Sequence, residues 1–164
     1  MRIFLIALIL LFSGCGSKIT EIFQKDNKYI TLSQYTQRAQ LVKSLETIAL
    51  INATYINHIL KNNDTKKYEI FIIGVYNSND YRGYEKGGIY NNHYLLTMNN
   101  KKFIKATKAD IVKLNLTDYP FYNKWMKYYI VYFPKTDSKK LYIKYTNLDL
   151  NSSATLTIPK QIYK

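Results

Sequence analysis

Cys15 is the single cysteine of the 164-residue chain, set between Gly14 and Gly16. As a thiolate it is the strongest nucleophile the sequence owns. With no second cysteine it can close no internal disulfide, so the fold must hold without one. His58 and His93 are the other groups suited to proton transfer or metal ligation. Neither stands at ligand spacing from the other or from a carboxylate pair. The 11 acids are scattered, and no Gly-x-Ser-x-Gly, His-Glu-x-x-His, Ser-x-x-Lys or phosphate-loop pattern occurs. In "NSNDYRG", Asn77, Asn79 and Gly83 fit part of a calcium-loop spacing, but Gly88 stands where the bidentate glutamate belongs. These residue types point to no catalytic centre, metal or cofactor, and a protein that is not an enzyme is expected.

The surroundings of Cys15 give it a different chemistry. Arg2 is a short basic start, Ile3 to Phe12 an apolar run, and Ser13-Gly14 a small-residue exit. This is the layout of a secretory signal. The run is too short for a membrane span, which needs about 20 apolar residues. Leu11-Phe12-Ser13-Gly14-Cys15 resembles the lipobox of bacterial lipoproteins, with Phe12 where that family usually has an aliphatic residue. The resemblance implies diacylglycerol on the Cys15 sulfur, cleavage before Cys15 and an acyl chain on the new amino terminus. Two or three acyl chains hold a protein on a bilayer, since each buried methylene contributes about 0.8 kcal/mol. Gly16, rather than an aspartate, follows the cysteine. By resemblance to the sorting rule of enteric bacteria, this implies the periplasmic face of the outer membrane in a Gram-negative host. The expected organisation is a signal peptide over 1–14, a lipidated tether over 15–32 and one domain over 33–164.

Lysine and arginine total 24 against 11 acids, a net charge of +13. Lysine supplies 21 of the 24, and beyond the signal only Arg38 and Arg82 remain as arginines. Bidentate recognition of phosphates and bases relies on arginine, so a nucleic-acid partner is not expected. The excess has two readings: a compositional bias toward Lys, Asn, Ile and Tyr, or attraction to anionic lipid or a cell-wall polymer.

The elements behind Cys15 read as β-rich. Hydroxyl caps at Thr31 and Ser33 ahead of "QRAQLV" predict a short helix over 33–45. "ETIALINATYINH" (46–58) is rich in Thr, Ile and Tyr and reads as a strand buried on both faces. "YEIFIIGVY" (68–76) is the clearest strand. Strands at 94–98 and 103–107 flank "NNKK" as a hairpin. Further strands are expected at 111–116, 127–133, 141–145 and 154–158. Pro120, Pro134 and Pro159 fall at strand ends, where a missing N–H does no harm. Seven or eight short strands spaced by turn signals predict a mainly β fold, an antiparallel immunoglobulin-like sandwich. The segments "NATYIN", "FIIGVYNSND" and "WMKYYIVYFPKTDSKKLYIKY" resemble small immunoglobulin-like lipoproteins of Campylobacter-type bacteria, a resemblance that implies no particular activity.

Seventeen tyrosines are present, and aromatics crowd 119–133. Tyr128, Ile130 and Tyr132 should face one side of their strand, and Tyr129, Val131 and Phe133 the other. Tyr119, Phe121, Tyr122 and Trp125 either join the core or form an exposed docking surface for sugar or protein. Asp149, Asn151 and Ser153 resemble the extended bacterial N-glycosylation sequon, an acid two residues before the asparagine. That resemblance makes Asn151 a candidate acceptor in an exposed turn. The function expected is a lipid-anchored envelope protein with a structural or interaction role toward an unknown protein partner. The alternative is a carbohydrate-binding or enzyme-accessory module.

Overall fold

The computed structural model describes residues 27–60, 62–78 and 80–160. Helix α1 (Asn27–Gln34) precedes nine strands: β1 (Thr36–Lys43), β2 (Glu46–Tyr55), β3 (Tyr68–Asn77), β4 (Tyr94–Met98), β5 (Lys101–Lys102), β6 (Lys105–Lys108), β7 (Lys127–Pro134), β8 (Lys140–Asn147) and β9 (Ser152–Pro159). A single helical turn, α2 (Asp64–Lys67), leads into β3. The strands form two antiparallel sheets, ordered β1-β2-β3-β7-β6 and β5-β4-β8-β9. Without β1 these are the A-B-E-D and C′-C-F-G orders of an immunoglobulin-like sandwich. The added β1 extends the first sheet and runs beside β9.

Two hydrophobic layers hold the sheets. The inner faces meet through Phe71, Ile73, Val75, Tyr129, Val131 and Phe133 on one side and Leu96, Leu141, Ile143 and Leu156 on the other. The outer face of the five-stranded sheet has its own core. There Ile70, Ile72 and Tyr128 pack under Leu32 of α1 and under Leu116, Tyr119 and Met126 of the segment joining β6 to β7. This second layer explains why β2 and β3 are buried on both faces, as the Thr-, Ile- and Tyr-rich composition of β2 had predicted. The alternation of β7 also follows expectation, with Tyr129, Val131 and Phe133 inward.

Four local expectations are corrected. The segment 33–45 is not a helix. Its first residues end α1 and the rest form β1, closed onto β2 by the turn Ser44-Leu45, where both residues have positive φ (49° and 69°). A bulge between Leu41 and Val42 disrupts the two-residue alternation and makes the run look helical. The Asn99-Asn100 turn forms as expected, again with positive φ at both residues. However, β5 pairs for only two residues before the chain crosses to the other sheet, where β6 pairs with β7. Segment 111–116 is a turn. The Asp110 carboxylate accepts the Val112 and Lys113 N–H groups, both at 3.0 Å, and so diverts the backbone from a strand. Leu32, expected in the tether, is fully buried.

The register gives the sandwich two poles. At one lie the Ser44-Leu45 turn and the connections 78–93, 109–126 and 148–151. At the other, β1 begins and β9 ends. There the fully buried Glu69 accepts hydrogen bonds from Tyr55 (2.7 Å), Asn57 (3.3 Å) and the Thr136 N–H (3.3 Å). It also pairs with Lys160 (2.7 Å) and Lys135 (3.4 Å). Lys160 donates to the Thr136 carbonyl as well, tying the end of β9 to β3.

Candidate functional site at the loop pole

Asp80 organises the loop between β3 and β4. Its side chain is 2% exposed and accepts the Gly88 N–H at 2.7 Å and Arg82 Nε at 3.0 Å. Lys127 Nζ lies 3.7 Å from the carboxylate and donates to the Asp80 carbonyl at 3.1 Å. Burial alone would raise the Asp80 pKa. The Gly88 N–H, Arg82 and Lys127 outweigh it and hold the carboxyl below the usual aspartate value. Gly88 adopts φ +59°, and a Cβ there would stand 2.3 Å from the Tyr129 hydroxyl. Beneath it, Tyr129 donates to the Tyr84 or Gly87 carbonyl (3.1 and 3.2 Å), and Tyr145 donates to Asn77 Oδ1 (2.9 Å). Burial pushes both phenols far above the ordinary tyrosine range. Gly88 therefore serves close packing against buried Tyr129, and Gly87 close approach to the Asp80 carboxylate.

The second loop is held by Asn52, a buried residue of β2. Asn52 Nδ2 donates to the Phe121 carbonyl at 2.9 Å, while its Oδ1 accepts the Gly74 N–H at 2.9 Å. Tyr128 accepts the Asn123 N–H at 2.8 Å, and Tyr122 stacks on the Tyr128 ring with centroids 5.4 Å apart. Phe121 is thereby fixed at φ +60°, the left-handed region that bulky residues avoid.

The four aromatics singled out from sequence separate. Tyr119 is buried, with its phenol raised by burial, and Tyr122 is half-buried. Phe121 and Trp125 are exposed, Trp125 at 70%. Two residues not singled out complete the surface, Tyr76 at the outward-facing end of β3 and Tyr81, 93% exposed. Trp125, Tyr76 and Tyr81 line a cleft of about 350 Å³ with Ser78, Asp80 and Lys127. On the other side of Tyr81, Arg82, His93, Asn147 and Asp149 line a more open cleft of about 640 Å³. Tyr76 had a legible signal, its outward register in β3. Tyr81 had none beyond its turn-rich neighbours.

Compared with family models, curated proteins and solved structures, the chain matches none. The remaining candidates are placed as follows. Asn151 is exposed in the β8–β9 turn at φ +48°. Asp149, two residues earlier, pairs with His93 at 2.8 Å on the rim of the open cleft. Of the other Asn-x-Ser/Thr sites, Asn52 is buried inside the sheet layer. His58 stacks on Tyr35 at 3.9 Å in the opposite half of the domain, and burial lowers its pKa. Among the described residues no three His, Cys, Asp or Glu side chains gather to hold a metal, and no helix is long and apolar enough to cross a membrane. Cys15 lies outside the described residues.

Proposed function

We propose that this chain is a lipid-anchored cell-envelope protein with a non-catalytic interaction role, held by Cys15 and binding through the loop pole. The observation that carries the reading is the polarity of the fold. The chain enters β1 at one pole, and the four loop connections with their exposed aromatics lie at the other. An anchor upstream of α1 therefore leaves the loop pole free to face away from the bilayer. The excess positive charge suits an envelope rich in anionic lipid or cell-wall polymer. Outer-membrane attachment on the periplasmic side belongs to the same proposal.

Lipidation is tested by membrane fractionation and intact-mass measurement of wild type and Cys15→Ala. The wild-type chain should begin at Cys15, carry diacylglycerol and sediment with membranes. Cys15→Ala should accumulate as the longer precursor. A normal-sized, membrane-bound Cys15→Ala protein would overturn the reading.

A second reading, a carbohydrate-binding or enzyme-accessory module of the envelope, is favoured by one specific observation. The clefts on either side of Tyr81 combine exposed aromatic rings with a polar lining. A sandwich with its aromatics closed into the core would have spoken for a purely structural role.

A further inference from the structure

Both clefts at the loop pole are lined by Ser78 and Tyr81, so they lie side by side. A bound chain could cross from Trp125 on one side to His93 and Asp149 on the other. At 350 and 640 Å³ they fall in the size range of small-ligand sites. Two exposed aromatic rings, Trp125 and Tyr81, share the cleft walls with the hydroxyl and amide groups of Ser78, Asn91 and Asn147. Saccharides ask for this combination. A pyranose presents an apolar C–H face to an aromatic ring and hydroxyls around its edge to hydrogen-bonding groups. A bilayer surface would make no use of polar-walled clefts.

The charge arrangement narrows the class. In the Asp80 cluster the carboxylate is the buried member at 2% exposure. The Arg82 side chain is 41% exposed and that of Lys127 22%. Lys124 lies over the Trp125 ring at 5.0 Å. Asp149, on the far wall of the open cleft, is 61% exposed and bonded to His93 at 2.8 Å, so the cationic face is the one that Arg82 and Lys127 present around Tyr81. The cluster thus shows its cations to solvent and hides its anion.

We propose that a linear anionic glycan binds across Tyr81. Its rings stack on Trp125 and Tyr81, and its acidic substituents meet Arg82 and Lys127. This rests on the second reading above and deepens it by naming the ligand class.

Trp125 is the only tryptophan in the chain, so its emission reports the narrower cleft directly. The full chain, purified in detergent micelles, is titrated with oligogalacturonate and oligosialate, and with a neutral maltooligosaccharide of equal length. An acidic oligosaccharide should give a saturable change in Trp125 emission. The neutral one should bind about tenfold more weakly, the factor one charge-assisted hydrogen bond supplies. Tyr81→Ala, at an almost fully exposed position that leaves folding intact, should abolish the response. Phe121→Ala, at an exposed aromatic lining neither cleft, should keep it. The proposal is overturned if neither acidic ligand changes the emission, if the neutral ligand binds equally well, if Tyr81→Ala responds like wild type, or if anionic vesicles without glycan produce the same change. Any of those results would leave lipidation of Cys15, read independently by mass, standing.

Discussion

Gly74 stands opposite Asn52 in the β2–β3 ladder, and its N–H is bonded to Asn52 Oδ1 at 2.9 Å. The missing side chain makes room for the asparagine to turn across the sheet and reach Phe121. One glycine in a central strand thus sets the position of a loop at the pole. A Cβ at 74 would meet Asn52 Oδ1 at 2.3 Å and a Tyr128 ring carbon at 2.5 Å. Gly74→Ala should therefore destabilise the domain by about 1–3 kcal/mol, the range for overpacked cores. It should also loosen the 121–126 loop, seen as a change in Trp125 emission. A urea midpoint within about 0.5 kcal/mol of wild type, the surface range, would contradict this.

Ile72 and Ile130 face each other across β3 and β7 on the outer layer. Ile72 is buried and Ile130 only half-buried, although both sit in the middle of their strands. Ile72→Ala should cost about 2–5 kcal/mol. Ile130→Ala should cost clearly less, because solvent already reaches part of its side chain. Equal losses in chemical denaturation would show that the outer layer is packed differently.

Asp80 makes stability pH-dependent with a fixed sign. Its pKa is lowered in the fold, so the stabilisation is present above the unfolded carboxyl's pKa, about 3.9. It is lost as pH falls through the lower folded value. Asp80→Asn should be less stable than wild type at neutral pH, and the gap should close below about pH 4 as the wild-type carboxyl protonates. A gap of the same size in acid and at neutrality would remove Asp80 from the loop's electrostatics.

Asn151 carries the acid-flanked sequon on an exposed turn. In a host with the matching transferase, the mature protein should show a hexose-containing mass increment that Asn151→Gln removes. An unmodified intact mass in such a host would dispose of the site.

The central strands were legible because their burial is written in composition. β3 was placed to within one residue of its end, and the two-sided burial of β2 followed from its Thr, Ile and Tyr content. Errors arose where a local polar group or a bulge decides the backbone. Asp110 converts 111–116 into a turn, and the Leu41/Val42 bulge hides the edge strand β1 behind a helical spacing. The hairpin after β4 was misread for a different reason. Its turn is local, but the partner chosen by β6 lies in the other sheet. The same limit applies to the site. Trp125 stood out as an aromatic, but its sharing a cleft with Tyr76 and Tyr81 depends on which loops share a pole. Glu69 inside "YEIFIIGVY" did carry a signal, since a lone acid in so apolar a strand demands partners. Those partners, Lys135 and Lys160, come from distant segments.

In the proposed arrangement the lipid anchor lies on the side where β1 begins and Trp125 at the opposite pole. β3 spans ten residues between them, about 30 Å at roughly 3.3 Å per residue. The most direct test uses the lipidated chain in vesicles whose lipids carry brominated acyl chains, which quench a tryptophan only at short range. The account predicts Trp125 emission equal to that in unbrominated vesicles. Strong quenching would put the loop pole in the bilayer and contradict it.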